Sequence, residues 1–191
     1  MAATRLEARA ARSAVPRARV VRVGVGLSRP PGPLAGPVVS CGLAGSLRSD
    51  VPVGTVLVPA CVLRLDGSAR WCDPALVDAL VAGARRLGLE PVREPMLTSK
   101  RLITGAERAV WAAQGCVAAD METGLLEVER LAAVRVVLDT PERELSGAWQ
   151  SPARAIWQPR AWADLPWLLR EGPRCARLAA EVLALAFPDL T

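Results

Sequence analysis

The sequence has no histidine among its 191 residues. That removes Ser-His and Cys-His nucleophile pairs, histidine zinc ligands and a histidine general base. Lys100 is the only lysine. Acid–base chemistry therefore falls to Asp and Glu, with the lysine and five cysteines as the remaining candidates. No run of about 18 apolar residues occurs, so no membrane span is expected. The first residues carry Arg5, Glu7, Arg9 and Arg12 without an apolar segment, unlike a secretory signal. The cysteines, at 41, 61, 72, 116 and 175, are odd in number and none forms C-x-x-C. Most sit in apolar runs, which predicts buried free thiols in a reducing, cytoplasmic setting.

What is present suits one folded domain spanning residues 1–191. Hydrophobic residues make up 51% and charged residues 23%, enough apolar material for a substantial core and too much for a disordered chain. The net charge of +5 is carried almost wholly by arginine. The arginines read as scattered, with few aromatics between them. A solvated arginine-rich surface is expected, and no nucleic-acid partner.

Thr4 to about Ala14 reads as a helix with a Thr4/Glu7 capping box. Ala18–Val25 alternates arginine with valine, as a strand would. A turn-rich connector follows over Arg29–Pro37. Pro37–Cys41 is expected to be a short buried strand and Gly42–Gly45 a tight loop after it. Thr55–Leu63 reads as a strand bent at Pro59. Asp73 and Pro74 open a helix to about Leu87, stopped by Gly88. Pro91–Thr98 reads as extended, Gly105–Gln114 as helix, Cys116–Ala119 as strand, Met121 to about Ala132 as helix and Ala133–Leu138 as strand. Gly172–Phe187 is amphipathic and helical. Strands alternating with helices predict an α/β domain with helices on both faces of its sheet.

Two acidic groups fall where such sheets place ligands, beyond the carboxyl ends of strands. They lie in Val117-Ala-Ala-Asp120-Met121-Glu122-Thr123 and in Val134-Arg135-Val-Val-Leu-Asp139. Spacing alone also permits plainer roles. Glu122 suits a helix first turn, and Asp139 suits an ion pair with Arg135 on the same strand face.

These segments resemble the purine nucleoside phosphorylase and nucleosidase superfamily. Asp120-Met-Glu-Thr123 is similar to its ribose motif, and Arg135-Val-Val-Leu-Asp139 to its "R-x-x-S-D" strand. Ser40-Cys-Gly-Leu-Ala-Gly-Ser-Leu47 with Val53-Gly-Thr-Val-Leu-Val-Pro59 resembles its glycine loop and following strand. Leu97-Thr-Ser-Lys-Arg-Leu-Ile103 stands where the family has "A-S-G-D-x-F-I". Within the superfamily, Glu7-Ala-Arg9 and the stretch from Asp139 to Pro166 are most similar to the hopanoid-associated phosphorylases, thought to remove adenine from adenosylhopane.

The resemblance implies a three-layer α/β/α sandwich with a mixed central sheet, lacking its first strand and one helix. It implies cleavage of the N-glycosidic bond of an adenine nucleoside without metal or organic cofactor. Asp139 would share a proton with purine N7, Glu122 would grip ribose hydroxyls and Met121 would pack on the sugar. Leu102 and Ile103 would wall the base. Gly42, Leu43 and Ala44 would line the substrate. Glu7 would activate water, unless it serves only its helix cap, and Arg135 would help hold the nucleophile. Water is the expected nucleophile, because Ser40 and Leu43 stand where phosphorylases of the bacterial hexameric type carry an arginine and a serine. Phosphate as co-substrate remains open, as does an inactive nucleoside-binding homologue. The partners implied are a small purine nucleoside, lipid-linked if the hopanoid-associated likeness holds, and further copies of the chain. Trp149, Trp157, Trp162 and Trp167 suggest a greasy lid or a peripheral membrane contact.

Overall fold

The computed structural model describes residues 1–146 and 162–191. Among them, helices α1 (Arg5–Ala14), α2 (Pro74–Arg86), α3 (Ala106–Ala113) and α4 (Leu165–Ala186) enclose a seven-stranded mixed sheet. The strands are β1 (Val38–Ser46), β2 (Val56–Leu57), β3 (Cys61–Arg64), β4 (Ala69–Trp71), β5 (Met96–Thr98), β6 (Ala118–Asp120) and β7 (Leu131–Asp139). Their order is β2-β7-β1-β6-β5-β3-β4.

Successive strand residues alternate between two apolar clusters, as the period of two requires. Val62, Met96 and Ala118 join the main core, which also takes residues of α2 and α4. Leu63, Leu97 and Ala119 pack instead with Ile103, Cys116 and Trp111 on the α3 side. The expected three-layer α/β/α architecture is therefore present. The sheet is curled, since only residues 58–60 separate β2 near one end from β3 near the other, and Leu57 bridges Val92.

The strand expected over Thr55–Leu63 is two strands, broken around Pro59. A proline cannot donate to a ladder, so the break falls where the chain changes neighbours. β1 does not end at Cys41. It runs through Gly42–Gly45, the expected loop, to Ser46. Residues 1 and 2 take part in sheet-like pairing. Met1 donates its ammonium to Val39 O at 2.6 Å and accepts from Cys41 N, while Ala2 bridges Arg22. Among the described residues that bridge is the only ladder contact of the strand expected over Ala18–Val25, which otherwise turns at Val25–Leu27.

The helix expected from Met121 to Ala132 is absent. A single turn at Thr123–Leu125 precedes β7. Its backbone donors are taken by side chains instead: Thr123 N bonds Asp120 Oδ2 at 3.1 Å and Gly124 N bonds Thr98 Oγ1 at 2.8 Å. Such local bonds compete with helix formation. Helix α4 begins before the expected Gly172 and carries Pro173 within it. All five cysteines are buried and free, as their apolar settings suggested. Among the described residues no helix is long and apolar enough to cross a membrane.

Candidate active site

Arg135 stands mid-strand on β7 and is buried to 1% exposure. A guanidinium so placed needs compensating charge. Its Nη2 lies 2.6 Å from Asp120 Oδ2, 2.7 Å from Ser40 Oγ and 2.9 Å from Thr123 Oγ1. Glu122 Oε2 is 3.5 Å from the same nitrogen. Asp120 is itself fixed by the hydroxyl of Thr98 at 2.5 Å and by Thr123. Its place at the end of β6, beside β5, sets this arrangement. Among the described residues, the buried Nε of Arg135 has no hydrogen-bond partner.

Glu7 reaches the same centre from α1. Its Oε2 accepts from Thr4 N at 2.7 Å and from the Thr4 hydroxyl at 2.8 Å, and Thr4 Oγ1 accepts from Glu7 N. The capping box is therefore real. It also aims the other oxygen inward, where Oε1 accepts from Leu43 N at 2.9 Å. Gly42 makes this approach possible. A Cβ there would lie 2.3 Å from Glu7 Oε1 and 2.6 Å from Arg135 Nη1.

Glu122 is buried and accepts from Gly26 N through Oε1 at 2.9 Å. Burial pushes its carboxyl up to about 7, against the pull of Arg135 and with the push of Asp120 and Glu7. Gly26, at φ +61°, holds the left-handed conformation that glycine tolerates. This turn lies over Met121.

Asp139 ends β7. The expected ion pair with Arg135 does not form. Its partner is Arg108 of α3, which also bonds Ser46 O and lies 2.9 Å from Glu144 Oε1. Burial raises the Asp139 carboxyl above the ordinary range, with Arg108 opposing the rise. Arg135 and Asp139, four apart on one strand, share a face, and the register explains how Gly42 and Gly45, only three apart, both lie opposite them. Gly42 pairs with Arg135 and Gly45 with Asp139, so four residues of β7 are matched by three of β1. This bulge keeps the two side chains in phase with the two glycines. A Cβ on Gly45 would lie 2.6 Å from Asp139 Oδ1. Three residues of strand separate the two carboxylate-facing glycines by roughly 10 Å, about the span of a nucleoside.

A cleft of about 20 Å³ is lined by Asp139 together with Leu102, Ile103, Met121, Asp120 and Arg108. The structure thus gathers Asp139, Met121, Leu102 and Ile103 at one place. Glu7, Glu122 and Arg135 meet at an adjoining one, connected through Asp120. Ala44 is not part of either, because its side chain packs in the main core. Leu43 contributes backbone, through its N–H to Glu7 and its carbonyl to Arg135 at 3.5 Å.

Sequence reasoning missed Arg108 and Thr98 as members of this network, and placed Asp120 and Ser40 in motifs without the contacts they make to Arg135. Arg108 left one signal, its place one turn before Trp111 and Ala112 on the inner face of α3. Trp149 and Trp157 lie outside the described residues. Trp162 is exposed, and Trp167 carries the Arg143 guanidinium 4.8 Å from its ring centroid.

No family model and no curated protein matches this sequence. Solved structures do. A mutant 5′-methylthioadenosine nucleosidase of Helicobacter pylori, holding 5′-methylthioadenosine, aligns over 81% of this chain and 69% of its own at 14% identity, with a TM-score of 0.60. The 5′-methylthioadenosine/S-adenosylhomocysteine nucleosidase of Colwellia psychrerythraea, in complex with adenine, covers 81% and 67% at 18% identity, TM-score 0.59. The futalosine hydrolase of Helicobacter pylori covers 81% and 68% at 14% identity, TM-score 0.58. This chain has the nucleoside phosphorylase-like fold. Within that fold, the carboxylate network described above occupies the carboxyl ends of β6 and β7.

Proposed function

We infer that the protein is a nucleosidase, cleaving the N-glycosidic bond of an adenine nucleoside by hydrolysis. The observation that carries this is the presence of two buried carboxyls that burial makes easier to protonate, each held by its own arginine: Asp139 by Arg108 and Glu122 by Arg135. A purine leaves poorly as an anion. A carboxyl whose pKa is raised holds a proton to share with N7, and such an acid is worth about 10²- to 10⁴-fold. The sugar becomes oxocarbenium-like. Glu122 would then accept from ribose hydroxyls, in place of the Gly26 N–H it now binds. Met121 would pack on the sugar, with Leu102 and Ile103 on the base. Glu7 would orient and activate water. Because a ligand pocket usually measures several hundred Å³, the Val25–Leu27 turn would move aside when the substrate binds. The reaction so drawn uses neither metal nor organic cofactor.

Water is favoured over phosphate on charge grounds. Arg135 faces Asp120 and Glu122 directly, with the Glu7 carboxylate beside it over Gly42. A phosphate dianion needs uncommitted donors and cations. Its one argument is the unpartnered Nε of Arg135. A lipid-linked adenosine such as adenosylhopane is the finer substrate reading, resting on the resemblance of Glu7-Ala-Arg9 and of the stretch after Asp139. Relatives of this fold in solved form act on, or hold, adenine nucleosides and adenine. Incubation with 5′-methylthioadenosine, adenosine and adenosylhopane, each with and without phosphate, tests the reading. Adenine release without phosphate supports hydrolysis; release only with phosphate supports phosphorolysis. Binding without release marks an inactive homologue.

A further inference from the structure

The positive charge of this chain is segregated. Of its 24 basic and 19 acidic residues, residues 1–37 hold seven arginines and one acid, Glu7; that segment carries +6 and the remainder −1. The single acid is unavailable as a surface partner, being buried and bonded to Thr4 and Leu43. Helix α1 displays Arg5, Arg9 and Arg12 at i, i+4 and i+7 on one exposed face. Arg22 closes a shallow cleft with them. Among the described residues, none of the seven forms an ion pair, whereas Arg48, Arg85, Arg101 and Arg130 elsewhere on the surface each do. Leaving such a group uncompensated is costly by self-repulsion unless something outside supplies the counter-charge.

Apolar side chains border this face. Leu6 is 39% exposed and lies against Gly172 of α4. Leu169 and Leu165, one and two turns earlier on the same side of α4, are 68% and 39% exposed. Arginines beside protruding leucines fit the boundary between lipid headgroups and acyl chains, where guanidinium meets phosphate and leucine enters the apolar layer. A polynucleotide would satisfy the arginines and gain nothing from Leu6, Leu165 and Leu169.

We propose that the α1 arginine face, with the adjoining leucines of α1 and α4, docks the protein on an anionic phospholipid surface. This surface is separate from the catalytic reading and does not depend on it. The test is co-sedimentation of the full chain with phosphatidylcholine vesicles, and with vesicles in which about a third of the lipid is phosphatidylglycerol. Binding is expected only to the anionic vesicles, and it should weaken steeply as salt shortens the reach of the charges. Arg9→Glu with Arg12→Glu should lower the partition coefficient by roughly thirtyfold or more, and Leu169→Asp by roughly tenfold, while Arg85→Glu on α2 leaves it unchanged. Circular dichroism verifies that each variant is folded, and the exposed positions of all three sites favour this. Equal binding to neutral vesicles, no binding to either, or unchanged binding by both the arginine and leucine variants overturns the proposal. Tighter binding to a DNA or RNA duplex than to anionic vesicles at equal phosphate overturns it as well.

Discussion

Asp139 and Glu122 are both buried carboxyls whose proton affinity rises for the same reason, loss of water, but their arginines differ. Asp139 answers to Arg108 and Glu122 to Arg135. If Asp139 is the acid, Asp139→Asn lowers the rate of adenine release by about 10²- to 10⁴-fold while the fold persists; a rate equal to wild type removes it from the mechanism. Arg108 favours the charged form of Asp139, so Arg108→Gln raises the carboxyl further. The alkaline limb of kcat/KM, where activity falls as the acid loses its proton, should therefore move to higher pH. A limb displaced to lower pH contradicts this assignment. Glu122 offers a test that needs no substrate. Its folded value of about 7 stands above the 4.5 of a free glutamate. The folded protein keeps a proton there that the unfolded chain has lost, so the stability this one group contributes is full below pH 4.5 and is lost as pH rises through about 7. The loss is on the order of 3 kcal/mol. Urea midpoints compared at about pH 5 and about pH 8 should show a smaller drop in Glu122→Gln than in the wild type.

At the scale of elements, the site is made by strand ends and two helix residues, Glu7 of α1 and Arg108 of α3. The strand carboxylates were legible in the sequence through the motifs around them, since spacing alone left a helix first turn or an ion pair as equal readings. So was the capping box that aims Glu7. Arg108 was not, since its partner lies 31 residues away and its spacing to Trp111 and Ala112 is the one local sign that α3 turns this arginine inward. The missing helix after Met121 shows the same limit. Residues 121–132 have helical composition, but Asp120, Thr98 and Thr123 claim the backbone donors first, and that competition is tertiary. The extension of β1 through Gly42–Gly45 was hidden by its glycines, which read as a loop and serve to admit Glu7, Arg135 and Asp139. Packing between helices makes its own prediction. Gly83 of α2 faces Val182 and Ala186 of α4 so closely that a Cβ would lie 2.5 Å from the Val182 carbonyl oxygen. Gly83→Val should cost about 1–3 kcal/mol by overpacking, read as a lower urea midpoint; an unchanged midpoint would mean that the two helices separate without penalty.

Across the whole molecule, a curled mixed sheet brings the ends of β1, β6 and β7 together and leaves the basic N-terminal segment on the outside. The division is physical. Inside, Arg135 and Arg108 are paired with buried carboxylates, whereas among the described residues the arginines of residues 1–37 form no ion pair. The central claim is that the paired inner charges form a pocket for an adenine nucleoside whose sugar–base bond is broken by water. The most direct measurement is the appearance of free adenine when purified, folded protein is incubated with 5′-methylthioadenosine in phosphate-free buffer. Adenine should accumulate with turnover and should cease to do so in Asp139→Asn. No adenine from any adenine nucleoside, with or without phosphate, would contradict the account.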